Sequence, residues 1–184
     1  KYLELAQTHR MTHTMLVPVQ YRRLMERPDF DSHDLSSTHL KFCTSAPFGA
    51  ALKADILKRW PGGLIEYYGM TEGGGSCILA AHEHPDKLHT VGQPAPGSLL
   101  KVLDEDGNEV PRGTVGEVQV RGPNIMLGYW NLPDATAAAQ VVAEQGEEAQ
   151  RAQPRATPSM WEKAGKAAMG AVAAAISEGS AFTC

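Results

Sequence analysis

Three short apolar segments alternate with two amphipathic segments in the first part of this 184-residue chain, and this alternation restricts the possible folds more than any other feature. The apolar segments have the length and composition of buried strands, and they are residues 14–17, 39–43 and 64–67. Strands joined through helices lie parallel and are connected by right-handed crossovers. We therefore predict an α/β fold with a parallel sheet and flanking helices.

The segments between these strands have the signals of helix starts and ends. Pro18 stands where a helix accepts its first residue, and this helix should end before Pro28. In the second helix, Leu52, Ile56 and Trp60 share one face, and a Pro-Gly-Gly sequence follows them. Two complete crossover units are predicted.

The carboxyl ends of parallel strands meet at one edge of the sheet, which is where open α/β sheets bind ligands. The second strand is followed by the turn Thr44-Ser45-Ala46-Pro47, and the third by Tyr68-Gly69-Met70-Thr71-Glu72. We therefore expect two segments that are distant in sequence to share one ligand.

The segment after the third strand combines groups that suit a nucleotide. Tyr68 offers a flat face for a base, and Thr71 offers a hydroxyl for a phosphate oxygen. Glu72 is a hard oxygen ligand for Mg²⁺. The glycines at 73–75 let the backbone approach a phosphate closely or adopt a positive φ. On spacing alone, a glycine-rich surface loop with a packed tyrosine and a solvated glutamate is an open alternative.

The order Tyr68-Gly69-Met70-Thr71-Glu72 resembles the Y-G-x-T-E signature of the AMP-forming adenylate enzymes. This superfamily contains acyl-CoA and aryl-CoA synthetases, luciferases and peptide-synthetase adenylation domains. The resemblance implies that Tyr68 stacks on adenine, that Thr71 contacts the α-phosphate and that Glu72 holds Mg²⁺. Thr71 and Glu72 are then the expected catalytic residues, with ATP, Mg²⁺ and CoA as the cofactors or co-substrates.

The resemblance also assigns the rest of a nucleotide site. The turn before the second helix matches the family's S/G-x-A-P segment, which lies against the adenine face opposite the tyrosine. Thr44-Ser45 departs from this pattern, because many members have Gly or Ser-Gly there. The residues expected to bind the nucleotide are Ser45, Ala46, Pro47, Tyr67, Tyr68, Gly69, Met70 and Thr71.

From Val91 onwards the pattern changes to short β segments and turns. Asp106-Gly107 between apolar runs predicts a hairpin, and residues 115–122 alternate apolar and polar side chains. We expect an antiparallel sheet or partial barrel packed beside the parallel sheet. The run is similar to the family's G-E-V/L-x-V-R-G-P-x-I/V-M-x-G-Y motif. Residues 131–136 match its N-x-P-x-x-T helix start.

The resemblance extends to about residue 139 and then stops. We interpret 1–139 as a partial AMP-binding domain, an incomplete adenylate-forming N-terminal domain. Residues 140–184 are expected to be an unrelated or frame-shifted, Ala-rich tail that is disordered or weakly helical. The family's phosphate loop, ribose-binding aspartate and catalytic lysine have no match in the chain, and neither Lys163 nor Lys166 has the context of that lysine.

Composition excludes several other classes. A net charge of −4 without long like-charge runs argues against a nucleic-acid partner, and no apolar run is long enough to span a membrane. Three scattered cysteines favour reduced thiols and a cytoplasmic location. His82, His84 and His89 suggest a metal site, but their spacing favours a solvated loop.

We therefore expect a fragment of an ATP-dependent enzyme that activates a fatty or aromatic carboxylic acid to an acyl-adenylate and then to an acyl-CoA. Its partners would be the acid, ATP and CoA. The glycines at 73–75 leave room for a bulky or long acid. Two alternatives stay open. One is a peptide-synthetase-type domain that adenylates amino acids, and the other is a catalytically inactive nucleotide-binding fragment.

Overall fold

The computed structural model describes residues 1–140, which fall into two compact units: Lys1–Leu127 and the residues from Gly128 onwards. The expectation for the tail at 140–184 lies outside the described residues, apart from Gln140. The first unit contains α1 (Tyr2–Thr8), β1 (His13–Leu16), α2 (Pro18–Met25), β2 (Leu40–Cys43), α3 (Ala50–Arg59), β3 (Gly63–Met70), β4 (Gly74–Ala80), β5 (Gln93–Pro94), β6 (Leu99–Leu103) and β7 (Glu117–Arg121). The second unit contains α4 (Pro133–Gln140).

The predicted parallel arrangement of the first three strands is confirmed. Five strands form one sheet in the order β1-β2-β3-β4-β5. β1 pairs in parallel with β2, and β2 in parallel with β3, so that Leu16 lies opposite Cys43, and Cys43 opposite Glu66. β4 and β5 then add antiparallel strands at one side of the sheet.

Both predicted helices form, and they pack on one face of this sheet. α2 begins at Pro18, and the Gln20 side chain accepts a hydrogen bond from the backbone N–H of Val17 at 2.9 Å, which satisfies a donor at the helix start. α3 ends at Arg59, one residue before Trp60. The fully buried Trp60 ring makes edge contacts with Tyr21 and Phe30, at centroid distances of 5.8 and 5.5 Å. These rings form the centre of the core.

The third strand is longer than predicted. It continues past residue 67 to Met70, and β4 turns back beside it, so Tyr68, Gly69 and Met70 lie in a strand end and not in an open loop. The pairing is possible because a β-bulge occurs at Tyr68 and Gly69. A Cβ atom on Gly69 would lie 2.0 Å from the carbonyl oxygen of Gly74, so only glycine allows this close approach of the two strands.

The later β segments form an antiparallel pair, as expected, but the Asp106-Gly107 turn is not the connection of a regular hairpin. β6 pairs with β7 over its whole length. The segment after the turn pairs with the end of β6 over a short stretch, through an isolated antiparallel bridge between Leu103 and Glu109 and a hydrogen bond from the Val110 N–H to the Val102 carbonyl at 2.9 Å. The described residues contain no closed barrel in this region, because this sheet has two strands. In the second unit, α4 begins at Pro133, as the sequence predicts.

Candidate functional site

The two predicted ligand-binding segments leave neighbouring strands at the same edge of the sheet. The paired part of β2 and β3 ends with Cys43 opposite Glu66. The turn at 44–47 continues from β2, and the 67–72 segment continues from β3. The rings of Phe42 and Tyr67 stack across the two strands with a centroid distance of 6.0 Å and an interplanar angle of 16°. The parallel topology therefore places the starts of the two segments at the same edge of the sheet.

The side chains of Tyr67 and Tyr68 lie on opposite faces of the sheet, although both residues were expected to bind the nucleotide. Successive side chains of a strand point to opposite faces. Tyr67 lies on the face of Phe42, whereas Tyr68 lies opposite Cys77 in the β3–β4 pair. The Tyr68 side chain is 41% exposed. Only one of the two rings can stack on a given base, and Tyr68 is the ring with an accessible face.

The turn after β2 is exposed and has a strained residue. Ser45, Ala46 and Pro47 are all exposed, and Ser45 has a φ of 80°, a left-handed conformation that glycine adopts more easily. This explains in physical terms why a glycine suits this part of the turn. Phe48 follows and is buried, with its ring stacked on Tyr21 at a centroid distance of 5.8 Å. The turn is thus anchored in the core directly after its exposed part.

The tip of the β3–β4 hairpin carries Thr71 and Glu72. Thr71 is exposed and Glu72 is half-buried. The backbone carbonyl of Glu72 accepts a hydrogen bond from the N–H of Met126 at 2.8 Å, so the segment after β7 holds the tip in place. Asn124 also lies close, since a Cβ atom on Gly74 would be 2.9 Å from the Asn124 Cβ atom. Nothing in the sequence pattern of this segment indicates that it reaches the hairpin.

A buried ion pair lies under the two segments. Lys53 on α3 contacts the carboxylate of Glu66 on β3, and their side chains are only 1% and 5% exposed. Burial raises the pKa of the Glu66 carboxyl, and the hydrogen bond and charge of Lys53 oppose this rise. The neighbouring Cys43 thiol has its pKa raised to about 12 by burial and by the charge of Glu66. No motif in the sequence indicates this pair, because a charged side chain by itself predicts exposure.

A periodic signal for the pair does exist in the sequence. Lys53 precedes Ile56 by three residues and Trp60 by seven, which places it on the buried face of α3. Glu66 follows the buried Leu64 by two residues on β3, and alternate residues of a strand share a face. Periodicity alone, without regard to side-chain type, predicts that both residues are buried.

The donor set at this edge fits a magnesium ion only together with a phosphorylated ligand. Within residues 1–140, no three His, Cys, Asp or Glu side chains are grouped so that they could enclose a metal ion. Glu72 is the carboxylate at the hairpin tip. Mg²⁺ in phosphoryl-transfer sites is commonly held by one or two carboxylates and by the phosphates of the substrate. A single glutamate at the hairpin tip is compatible with that arrangement.

Comparison with known families and proteins gives a consistent match for the part of the chain that the structure describes. The family model for AMP-binding enzymes matches residues 1–130. Over 137 residues, the chain is 35% identical to the medium/long-chain-fatty-acid–CoA ligase FadD8 of Mycobacterium tuberculosis. It is 37% identical over 133 residues to an indoleacetate–CoA ligase of Aromatoleum aromaticum. These alignments cover 73% and 70% of the chain, but only 24% and 25% of the relatives.

The fold is also similar to solved structures. The amide bond synthetase McbA from Marinactinospora thermotolerans aligns with a TM-score of 0.68 and 34% identity, over 74% of this chain and 28% of that one. The chain therefore spans about a quarter of the length of the relatives that it matches. Among the described helices, none has the length and apolar character needed to cross a membrane.

Proposed function

Because the chain belongs to the family of AMP-binding enzymes, we propose that it supplies the adenine-binding part of an AMP-forming acid–CoA ligase. Residues 1–139 are then a part of the AMP-binding domain. The proposal is supported above all by one observation: β2 and β3 are parallel neighbours, an exposed turn follows the end of β2, and an exposed tyrosine follows the part of β3 that pairs with β2. A planar base between two such segments would be in contact on both faces.

The nucleotide roles are assigned by position. The Tyr68 ring would stack on adenine, and Ser45, Ala46 and Pro47 would contact the opposite face of the base. Gly69 and Met70 would contribute backbone beside the nucleotide, because they lie in the strand between Tyr68 and the hairpin tip. Tyr67 would contribute through its backbone and through its packing on Phe42, since its ring lies on the other face of the sheet. Stacking of a base on an aromatic ring is worth about 1–3 kcal/mol.

The hairpin tip would hold the phosphate end. The exposed Thr71 hydroxyl would donate a hydrogen bond to an α-phosphate oxygen, and Glu72 would bind Mg²⁺ with its carboxylate. A bound Mg²⁺ would neutralise charge on the phosphates of ATP. The backbone bond from Met126 to Glu72 fixes the tip before a ligand arrives, which lowers the cost of ordering it on binding.

The reaction proposed for the full-length parent has two steps. A substrate carboxylate attacks the α-phosphorus of ATP, and pyrophosphate leaves with the electron pair of the broken P–O bond. The CoA thiol then loses its proton and attacks the acyl carbon, and AMP leaves. The relatives named above act on fatty and aromatic acids, and a fatty or aromatic acid is the substrate class we propose here. Buried thiols such as Cys43 are compatible with a reducing cytoplasmic location.

Nucleotide binding is tested first on the 184-residue chain, by titration with AMP followed by NMR. Replacement of Tyr68 by Ala should weaken binding about tenfold, because it removes the stacking surface. Tyr67→Ala is the matched control on the adjacent position and the opposite face, and its effect should be several times smaller. If Tyr67→Ala weakens AMP binding more than Tyr68→Ala does, the assignment of the two rings is wrong.

Catalysis is tested in the full-length parent by release of pyrophosphate and AMP with fatty, cinnamic and amino acids. Glu72→Gln should lower the rate by about 10²- to 10³-fold, because it removes a charged metal ligand without changing volume. Glu105→Gln, at an exposed position of the 104–108 turn, is the matched control and should have no effect. Pyrophosphate release at the wild-type rate in Glu72→Gln would remove Glu72 from the metal site.

The same panel separates the alternatives. Thiol-dependent AMP release with fatty or cinnamic acids supports a CoA ligase, and activation of amino acids supports a peptide-synthetase-type domain. Binding without turnover supports an inactive nucleotide-binding protein. The 184-residue chain alone should not make acyl-CoA, because it matches only about a quarter of the length of its relatives. Acid- and CoA-dependent AMP formation by the purified chain would contradict this expectation.

A further inference from the structure

We infer that Lys53 is a positioning residue that fixes the spacing between the two halves of the candidate nucleotide site. The inference deepens the proposed function and rests on it for the identity of the ligand. It concerns the segment at 44–49, which carries the exposed turn, and the segment at 67–73, which carries the tyrosine and the hairpin tip. A side chain in the first segment and a side chain directly before the second segment both contact the Lys53 ammonium.

The first attachment is to the end of β3. Glu66 immediately precedes the 67–73 segment, and its carboxylate contacts the Lys53 ammonium. Cys43, the residue opposite Glu66, immediately precedes the 44–49 segment. The ion pair therefore lies at the end of the β2–β3 pairing, directly before both segments begin. Among the ion pairs of the described residues, it is the one in which both side chains are less than a tenth exposed.

The second attachment is to the turn. Phe48 directly follows Pro47, and its ring lies 5.5 Å from the Lys53 ammonium, within the range of a cation–π contact. The backbone N–H of Lys53 also donates a hydrogen bond to the Gly49 carbonyl at 3.1 Å, so Lys53 lies in the first turn of the helix that follows. A third contact is the hydrogen bond from its ammonium to the Thr90 carbonyl at 2.9 Å. One side chain thus joins three separate parts of the chain.

Stability alone does not account for such a pair. Removing two charges from water is costly, and well-packed apolar residues in place of a buried ion pair are often equally or more stable. What an ion pair adds is direction, because the ammonium and the carboxylate fix the distance between their strands and helices more narrowly than apolar contacts do. At a binding site, such a constraint matters, since displacement of a contact group by about 1 Å can cost about 10²-fold in rate.

The test uses the double variant Lys53→Met/Glu66→Leu in the full 184-residue chain, because an apolar pair of similar volume is expected to fold. Hydrogen exchange of the ligand-free protein, followed by mass spectrometry, compares peptides from 44–49 and 67–73 with reference peptides from α2 and β1. We expect exchange in the two segments to be about tenfold faster relative to the reference peptides. Glu66→Gln should change this ratio less than about threefold, since the amide oxygen still accepts the hydrogen bond from the ammonium.

Lys41→Met is the matched control for loss of a buried lysine. The Lys41 ammonium donates to the carbonyls of Trp60, Pro61 and Gly62 at 3.0, 2.6 and 2.7 Å, which lie at the opposite end of β3 from the nucleotide site. Its removal should change exchange in the two segments and in the reference peptides by the same factor. If the double variant changes exchange in the two segments and in the reference peptides by the same factor, or changes neither, Lys53 has only a packing role and the inference is overturned.

A titration of the same variants with AMP separates this inference from the proposed function. If both hold, the double variant binds AMP about tenfold more weakly than the wild type, whereas Lys41→Met binds with the wild-type affinity. If the wild type does not bind AMP but the exchange ratio changes as expected, the nucleotide proposal fails and the positioning role stands. Equal AMP affinity of wild type and double variant, with an unchanged exchange ratio, would leave the nucleotide site intact and remove Lys53 from it.

Discussion

The two faces of the five-stranded sheet bury different kinds of side chain, although the same strands form both. On the face covered by α2 and α3, β2 and β3 contribute four buried side chains: Lys41, Cys43, Leu64 and Glu66. Two of these four, Lys41 and Glu66, are charged. The opposite face is apolar but only half-buried, and there the same strands contribute Leu40, Phe42, Ile65 and Tyr67. On β1, Met15 of this open face is 61% exposed.

The charges are tolerated on the covered face because each has a specific partner. Glu66 has the ammonium of Lys53, and Lys41 donates to three carbonyls at the end of α3, where the helix dipole favours a cation. The open face needs no such partners, because water reaches it. Helix ends and facing carboxylates therefore decide where a charge can be buried, and the more apolar face of a sheet is not always the more buried one.

The largest expected effect is a difference in the free energy of unfolding between alanine substitutions at two neighbouring residues of β3. Leu64 is completely buried on the covered face, so Leu64→Ala should lower the free energy of unfolding by about 2–5 kcal/mol through lost burial and a cavity. Ile65→Ala, one residue later on the open face, should lower it by about 1–2 kcal/mol, because its side chain is only half-buried. Urea denaturation with equal m-values measures both. Equal losses would show that the open face is as well covered as the other.

The next largest effect depends on pH. Burial lowers the pKa of Lys41 from 10.5 to about 8 in the folded protein. Between these values the unfolded chain binds more protons than the folded one, so the contribution of Lys41 to stability rises with pH. Relative to Lys41→Met, the wild type should gain at most about 1.4 kcal/mol per pH unit in this range. Below pH 8 the difference between the two proteins should be constant. A difference that is constant from pH 7 to 10.5 would show that burial does not lower the pKa of Lys41 in the folded protein.

The parallel strands and both helices could be predicted because they follow from periodicity and from Pro and Gly positions. The extension of β3 to Met70 could not, since Gly69 looks like a loop residue unless the opposing carbonyl of Gly74 is known. The roles of Lys53 and Glu66 were hidden for a different reason. A charged residue predicts exposure until its partner, here on an element thirteen residues away, is found to face it.

A smaller gain in stability is expected at the turn that connects the covered face to α3. Ser45 has a φ of 80°, and a left-handed conformation costs an L-residue about 1–2 kcal/mol relative to glycine. Ser45→Gly should therefore stabilise the protein by about 1 kcal/mol or less, since glycine also raises the entropy of the unfolded chain. Thermal unfolding of both proteins measures the change. Ala46→Gly, which is equally exposed but has no positive φ, is the control and should not stabilise. A loss of stability in Ser45→Gly would show that the serine side chain stabilises the turn.

The smallest effect is expected on the open face at β1. Met15 is exposed, and threonine suits a strand, so Met15→Thr should change the free energy of unfolding by less than about 0.5 kcal/mol. Leu16→Thr is the control on the adjacent position, because Leu16 packs against the core under the helices, and it should cost several times more. Denaturation should be measured at two protein concentrations. If Met15→Thr costs as much as Leu16→Thr at both concentrations, part of the same chain covers the open face. If its cost appears only at the higher concentration, a second copy covers that face.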